Sequence, residues 1–150
     1  MERFEKDVQQ MFALRVMVNA AEMLGLTKGV AFVSVQKKRD AEYNQEVRFL
    51  VVNNTIQREP SSLIKDDTGT NYFAVAMSKL AVMMGSNGRN SGYPELRPKN
   101  GEVVYRGGLV REVGEFFIYT GFSGGTEDED VGIADMGMGI LLAGDAKGRK

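Results

Sequence analysis

Glu115-Phe-Phe-Ile-Tyr-Thr-Gly-Phe122, running on into Ser123-Gly-Gly-Thr126 and then Glu127-Asp-Glu-Asp130, is the stretch on which the fold turns. Its first part is rich in β-branched and aromatic residues and reads as a strand. The glycine pair ends that strand. Thr126 and Glu129 then stand in the T-x-x-E relation that opens a helix by satisfying its first unpaired amides, and Glu127 and Asp128 oppose the positive end of the helix dipole. A strand therefore passes through a glycine turn into a terminal helix, predicted from about Glu127 to Leu142. A second use of the turn stays open: Ser123, Gly124, Gly125 and Thr126 offer amides to an anionic ligand, as glycine turns before helices do. A cation held by Glu127–Asp130 is a weaker reading, because the spacing lacks the alternation of a calcium loop.

Upstream, Glu102–Tyr105, the Gly107-Gly108 break and Leu109–Val113 join Glu115–Phe122 in a predicted meander of strands. Before them, Tyr72, Phe73, Val75, Ala76, Leu80 and Met83 make a helical stripe, with Thr68 or Thr70 as N-cap and Gly85 as stop. The Gly-, Asn-, Ser- and Pro-containing segment Gly85–Gly101 is long for a loop, so it is expected to line a site or contact a partner. At the start of the chain, Phe4, Val8, Met11, Phe12, Met23 and Leu24 recur mostly at helical intervals, predicting a helix of about 20 residues that stops at Gly25. Leu14–Ala21 is apolar on more than one face, which predicts cover from the sheet and from another helix or subunit. Val30–Val35 and Glu46–Asn53 read as a hairpin joined by the polar run Lys37–Gln45. Helix, two strands, helix, two or three strands, helix: this order predicts an α+β domain, an antiparallel sheet of about five strands with helices mainly on one face. Residues 1–150 form one domain, with a basic tail over 145–150 carrying Lys147, Arg149 and Lys150.

The chain is 43% hydrophobic and 26% charged, with 19 basic groups against 20 acidic ones. That balance gives no general attraction to nucleic acid or to an anionic membrane surface, both of which require an excess of Lys and Arg. The absence of Cys excludes a disulfide, a thiolate nucleophile, a Cys-based zinc site and an iron–sulfur cluster. The absence of His removes the commonest general base and metal ligand, so a Ser–His or Cys–His catalytic unit cannot be built. No metal site is predicted. The mixed-charge N-terminus does not resemble a secretory signal, and no apolar run approaches the roughly 18 residues that span a bilayer, so a cytoplasmic location is expected.

Several side chains invite a chemical role. Lys79, in an otherwise apolar helix, is either a ligand-anchoring cation or a solvated, snorkelling side chain. Tyr105, Arg106 and Arg111 flank the paired glycine and could reach a carboxylate-bearing ligand there, or simply be exposed hairpin residues. Met77, Met83, Met84, Met136 and Met138 read as adaptable filler of the core or of an interface. Gly132, Gly137 and Gly139 weaken the last helix unless close packing compensates, and such packing suggests a subunit contact.

Gly107-Gly-Leu-Val110, Gly121-Phe-Ser-Gly-Gly-Thr126, Asp130, Ala134 and Lys79 within Met77-Ser-Lys-Leu-Ala81 together resemble the signature of the GlcG/HbpS-like family, also called DUF336 or haem-degrading. The match is closest over the C-terminal half. Val110 replaces the family's usual proline, and Ser78 replaces the Asp before the lysine. The resemblance implies a profilin-like fold, assembly into homo-oligomers, and binding of haem or another small ligand, a tetrapyrrole or small carboxylate. Members that bind haem use a His ligand, so here haem would rest on Met, Tyr or Lys, or on apolar surface alone. The leading expectation is a small-ligand-binding or accessory protein without catalytic residues. The alternatives are an enzyme using Lys79 with Ser78 or a carboxylate on a small carboxylate substrate, and a roadblock-like dimerisation module.

Overall fold

The computed structural model describes residues 3–38 and 46–148. Residues 39–45 of the predicted polar connection, and Arg149 and Lys150 of the predicted basic tail, lie outside the described residues. The elements are α1 (Arg3–Met23), β1 (Val30–Lys37), β2 (Glu46–Val51), β3 (Gln57–Arg58), β4 (Thr70–Asn71), α2 (Tyr72–Gly85), β5 (Gly108–Val113), β6 (Phe116–Ser123) and α3 (Glu127–Gly148). Four strands form one antiparallel sheet in the order β2-β1-β6-β5, and β3 and β4 form a separate small ribbon. The α+β fold and the β1–β2 hairpin are as expected.

Three details differ. Glu102–Tyr105 is not a strand, so the main sheet has four strands and not five. Asn71, not Thr68 or Thr70, caps α2, accepting a hydrogen bond from the Ala74 amide at 3.0 Å. The third difference concerns the helices, which cover both faces of the sheet. Ala31 and Val33 join the core of α1 and α3, while Val30 and Phe32 pack against Ala76, Leu80 and Met83 of α2. Strand side chains alternate in direction, so the unbroken apolar run Val30–Val33 is what a strand covered on both sides requires.

Close approach is built with glycine. A Cβ on Gly121 would lie 2.1 Å from the Phe32 ring, so the cross-strand partner of Phe32 has to lack a side chain. On the other face a Cβ on Gly137 would lie 2.6 Å from the Met17 sulfur, where α3 crosses α1. Ala13, Leu14, Met17, Val18 and Ala21 are accordingly buried between sheet and α3, and the second cover predicted for Leu14–Ala21 is a helix of the same chain. Gly132 and Gly139 meet nothing within 4 Å.

The segment after α2 has a structural task at its start. The Ser91 amide donates to the Gly108 carbonyl at 3.1 Å, and the Ser91 hydroxyl accepts from the Gly108 amide at 2.8 Å. Asn90 accepts from the Val110 amide at 2.9 Å. These bonds occupy the first part of the outer edge of β5, which has no strand beside it among the described residues. Ser78 holds the far end of the segment, donating to the Gly101 carbonyl and accepting from the Val103 amide.

Candidate functional site

The residues that carry the family resemblance converge on one buried point where α2 meets the end of β6 and the first turn of α3. Lys79 is 1% exposed. Its Nζ donates to the Phe122 carbonyl at 2.7 Å and to Asp130 Oδ2 at 3.0 Å. Asp130 Oδ1 accepts from the Gly125 amide at 2.9 Å. Gly107, with φ +122°, makes room: a Cβ there would lie 2.6 Å from the Lys79 ammonium and 2.7 Å from the Asp130 Cβ. Burial lowers the Lys79 pKa and raises that of Asp130, and each is opposed by the charge of the other. Lysine, paired glycine, glycine turn and aspartate are therefore parts of a single internal clamp, and Lys79 is neither solvated nor snorkelling.

The glycine turn is filled by its own chain. The Thr126 amide donates to Glu129 Oε1 at 2.9 Å and the Glu129 amide to Thr126 Oγ1 at 3.2 Å, the reciprocal box expected from the sequence. With the Gly125 amide held by Asp130, two of the amides suited to an anion already face carboxylates. Ser123 is buried, Gly124 and Gly125 are half-buried, and Thr126 is exposed. Arg106 lies over the same turn, its amide donating to Glu127 at 2.8 Å and its guanidinium to Asp128 at 3.0 Å. Tyr105 and Arg111 are exposed, and Arg111 donates to the carbonyl of Val110 beside it. Lys79, Arg106 and the Ser123–Thr126 turn are thus brought together around α3, while Arg111 lies in β5 and bonds the Val110 carbonyl instead.

An open cleft of about 960 Å³ lies elsewhere, at the opposite end of the sheet on its α2 side. Gln36, Lys37 and Lys38 at the end of β1, Phe117 and Tyr119 of β6, and Met84 at the end of α2 are among its walls. None of the site residues expected from the sequence lines it. The Tyr119 hydroxyl donates to Gln36 Oε1 at 3.0 Å, and burial raises its pKa. Lys38 pairs with Glu112, donates to the Gly114 carbonyl at 3.2 Å and sits 5.0 Å from the Phe117 ring centroid. Asn87, of the Gly85–Gly101 segment expected to line a site, is also a wall of this cleft, and a further signal in the sequence is a strand ending in Gln-Lys-Lys directly after an apolar run. Register was the missing step: it sets Lys37 opposite Phe116 and Gln36 opposite Phe117.

Tyr119 and Lys79 are poor haem ligands. Ligation by Tyr119 requires a phenolate, and burial together with the hydrogen bond to Gln36 keeps the proton on the oxygen. Lys79 is inside the clamp, while Lys38, in an exposed pair with Glu112, and Met84 are the donors that line the cleft. Among the described residues no group of three or more Asp or Glu side chains is placed to hold a metal ion, and no helix is long and apolar enough to cross a membrane.

Neither a scan against protein-family models nor a search of curated proteins gives a match. Among solved structures, the crystal structure of HbpS aligns over 89% of this chain and 86% of its own, at 22% identity and a TM-score of 0.50. The chain thus shares the fold of HbpS, the family to which its glycine, lysine and aspartate signature pointed.

Proposed function

We propose that the chain is a cytoplasmic small-ligand-binding or accessory protein of the GlcG/HbpS-like kind, assembling as a homo-oligomer, whose cleft takes a small carboxylate. The observation that carries this reading is one side of the cleft's makeup: two lysines and a glutamine amide beside the aromatic Phe117 and Tyr119, with Glu112 and Glu115 as the acidic walls that a carboxylate would have to displace or avoid. An incoming carboxylate would replace Glu112 on Lys38, exchanging one exposed ion pair for another. Exposed pairs contribute only about 0–1 kcal/mol, so the exchange is easy. Phe117 and Tyr119 would cover the carbon skeleton, and Gln36 would fix a hydroxyl or second carboxylate.

The fold shared with HbpS supports the family side of the reading, as does the convergence of the signature residues on one clamp. The competing idea of a lysine-dependent enzyme relies on Lys79, whose ammonium solvent does not reach. Thermal-shift titration with a panel of small mono- and dicarboxylates tests the proposal. A saturable rise in Tm that is lost in Lys38→Ala and in Gln36→Ala supports it. No shift with any acid in the panel, or a shift that both variants retain, overturns the assignment of this cleft.

A further inference from the structure

The cleft carries both signs of charge, and the sheet keeps their origins apart. Register places Gln36 of β1 and Glu112 of β5 on either side of Phe117 in a single row. One row further out, the Lys38 amide bonds the Glu115 carbonyl, which sets Lys38 beside Glu115 at the open end of the sheet. Residues directly opposite one another in antiparallel strands point to the same face, so these groups share the α2 side of the sheet with Phe117 and Tyr119. Amide and ammonium thus rise from β1, carboxylates from β5 and the turn that follows it, and the aromatic residues of β6 lie between.

The Lys38–Glu112 pair arches over that aromatic row. Adjacent strands lie about 5 Å apart, so β1 and β5, with β6 between them, are roughly 10 Å apart. The two side chains meet only by leaning inward, which brings the Lys38 ammonium to 5.0 Å from the Phe117 ring centroid. The side chain of Glu112 is 63% exposed and that of Lys38 21%, so water reaches the pair and little holds it closed. A plain carboxylate that takes Lys38 leaves the released Glu112 beside it, with Glu115 in the same wall and without a side-chain partner among the described residues. Like charges set side by side oppose binding. A ligand that brings its own ammonium removes the conflict: its carboxylate takes Lys38, its ammonium takes Glu112, and both halves of the parted pair regain a partner.

We propose that the ligand of this cleft is an amino acid in its zwitterionic form, lying across Phe117 with its carboxylate toward Lys38 and Gln36 and its ammonium toward Glu112. The proposal rests on the cleft being the ligand site, and it narrows the ligand from small carboxylates at large to those that carry an amino group.

Titration calorimetry on the full chain tests it by comparing norleucine, phenylalanine and glutamate with hexanoate, phenylpropanoate and glutarate, the same acids without the amino group. At least one amino acid is expected to bind at least tenfold more tightly than its partner. Glu112→Gln should then split the pair: the plain acid binds as well as before or better, because Lys38 is released, while the amino acid loses its advantage. A plain acid that matches its amino acid on the wild type overturns this proposal and leaves the cleft assignment standing; so does a tenfold preference that survives Glu112→Gln. No binding by any of these compounds overturns both. Should the variant misfold, the N-acetylated amino acids replace it on the wild-type protein. They should bind no better than the plain acids, and an acetylated amino acid that keeps the full affinity overturns the proposal.

Discussion

Lys79 and Asp130 show how a charge can be obligatory without being accessible. A buried pair tolerates loss of one member poorly, since the survivor is left charged in a dry place, at a cost of about 3–5 kcal/mol. Lys79→Met and Asp130→Asn should each lower urea-unfolding stability by that order. The double variant should cost clearly less than the sum, because it leaves no lone buried charge. Asp67 behaves differently. The Arg58 guanidinium first, and then the Ser61 and Gly69 amides, hold its carboxyl well below the usual carboxylate range. A carboxyl depressed in the folded state adds stability above its unfolded pKa of about 4, and that contribution is lost as pH falls below it. Thermal unfolding followed from pH 6 to pH 2 should therefore show an acid-induced loss in the wild type that is smaller in Asp67→Asn. Lys79 was legible in the sequence as a residue of interest, but its partner was not, since Asp130 lies 51 positions away and only the turn at Gly124-Gly125 brings it within reach.

At the scale of elements, glycine sorts into two kinds that the sequence does not distinguish. Gly137 is pressed against Met17, whereas Gly132 and Gly139 on the same helix meet nothing. Gly137→Ala should destabilise the α1–α3 packing. Gly132→Ala and Gly139→Ala should each stabilise by up to about 1 kcal/mol from helix propensity, all three read as shifts in denaturation midpoint. Gly107→Ala combines a left-handed φ with a blocked Cβ, and the backbone strain alone should cost about 1–3 kcal/mol. Helix periodicity and strand composition were legible because they are local. The extra strand at Glu102–Tyr105 was a misreading of the same kind of signal: Val103 and Val104 have strand composition, but the Ser78 hydroxyl takes the Val103 amide and no neighbouring strand is within reach to pair with them. Composition cannot report which edge is already covered.

For the whole molecule, three helices on an antiparallel sheet were readable from local pattern, but not that the sheet has four strands instead of about five or that helices cover both of its faces, although β1 and β6 are apolar enough to require it. A pocket between the sheet, the middle helix and the Gly85–Gly101 segment was readable, and Met84 and Asn87 do line the cleft, but its other walls were not, because the ends of β1 and β6 are brought there by register and not by any motif. Native mass spectrometry with an absorbance scan of the purified protein should show an oligomer without a Soret band; a stoichiometric haem band would overturn this expectation and leave Lys38 and Met84 as the ligands to test. The sheet also has unlike borders. Asn90 and Ser91 close it beside β5, while β2 has a strand on one side only. Edge-to-edge pairing is therefore steered to β2, where two molecules can meet more freely than at the start of β5, whose outward groups are already taken by its own chain.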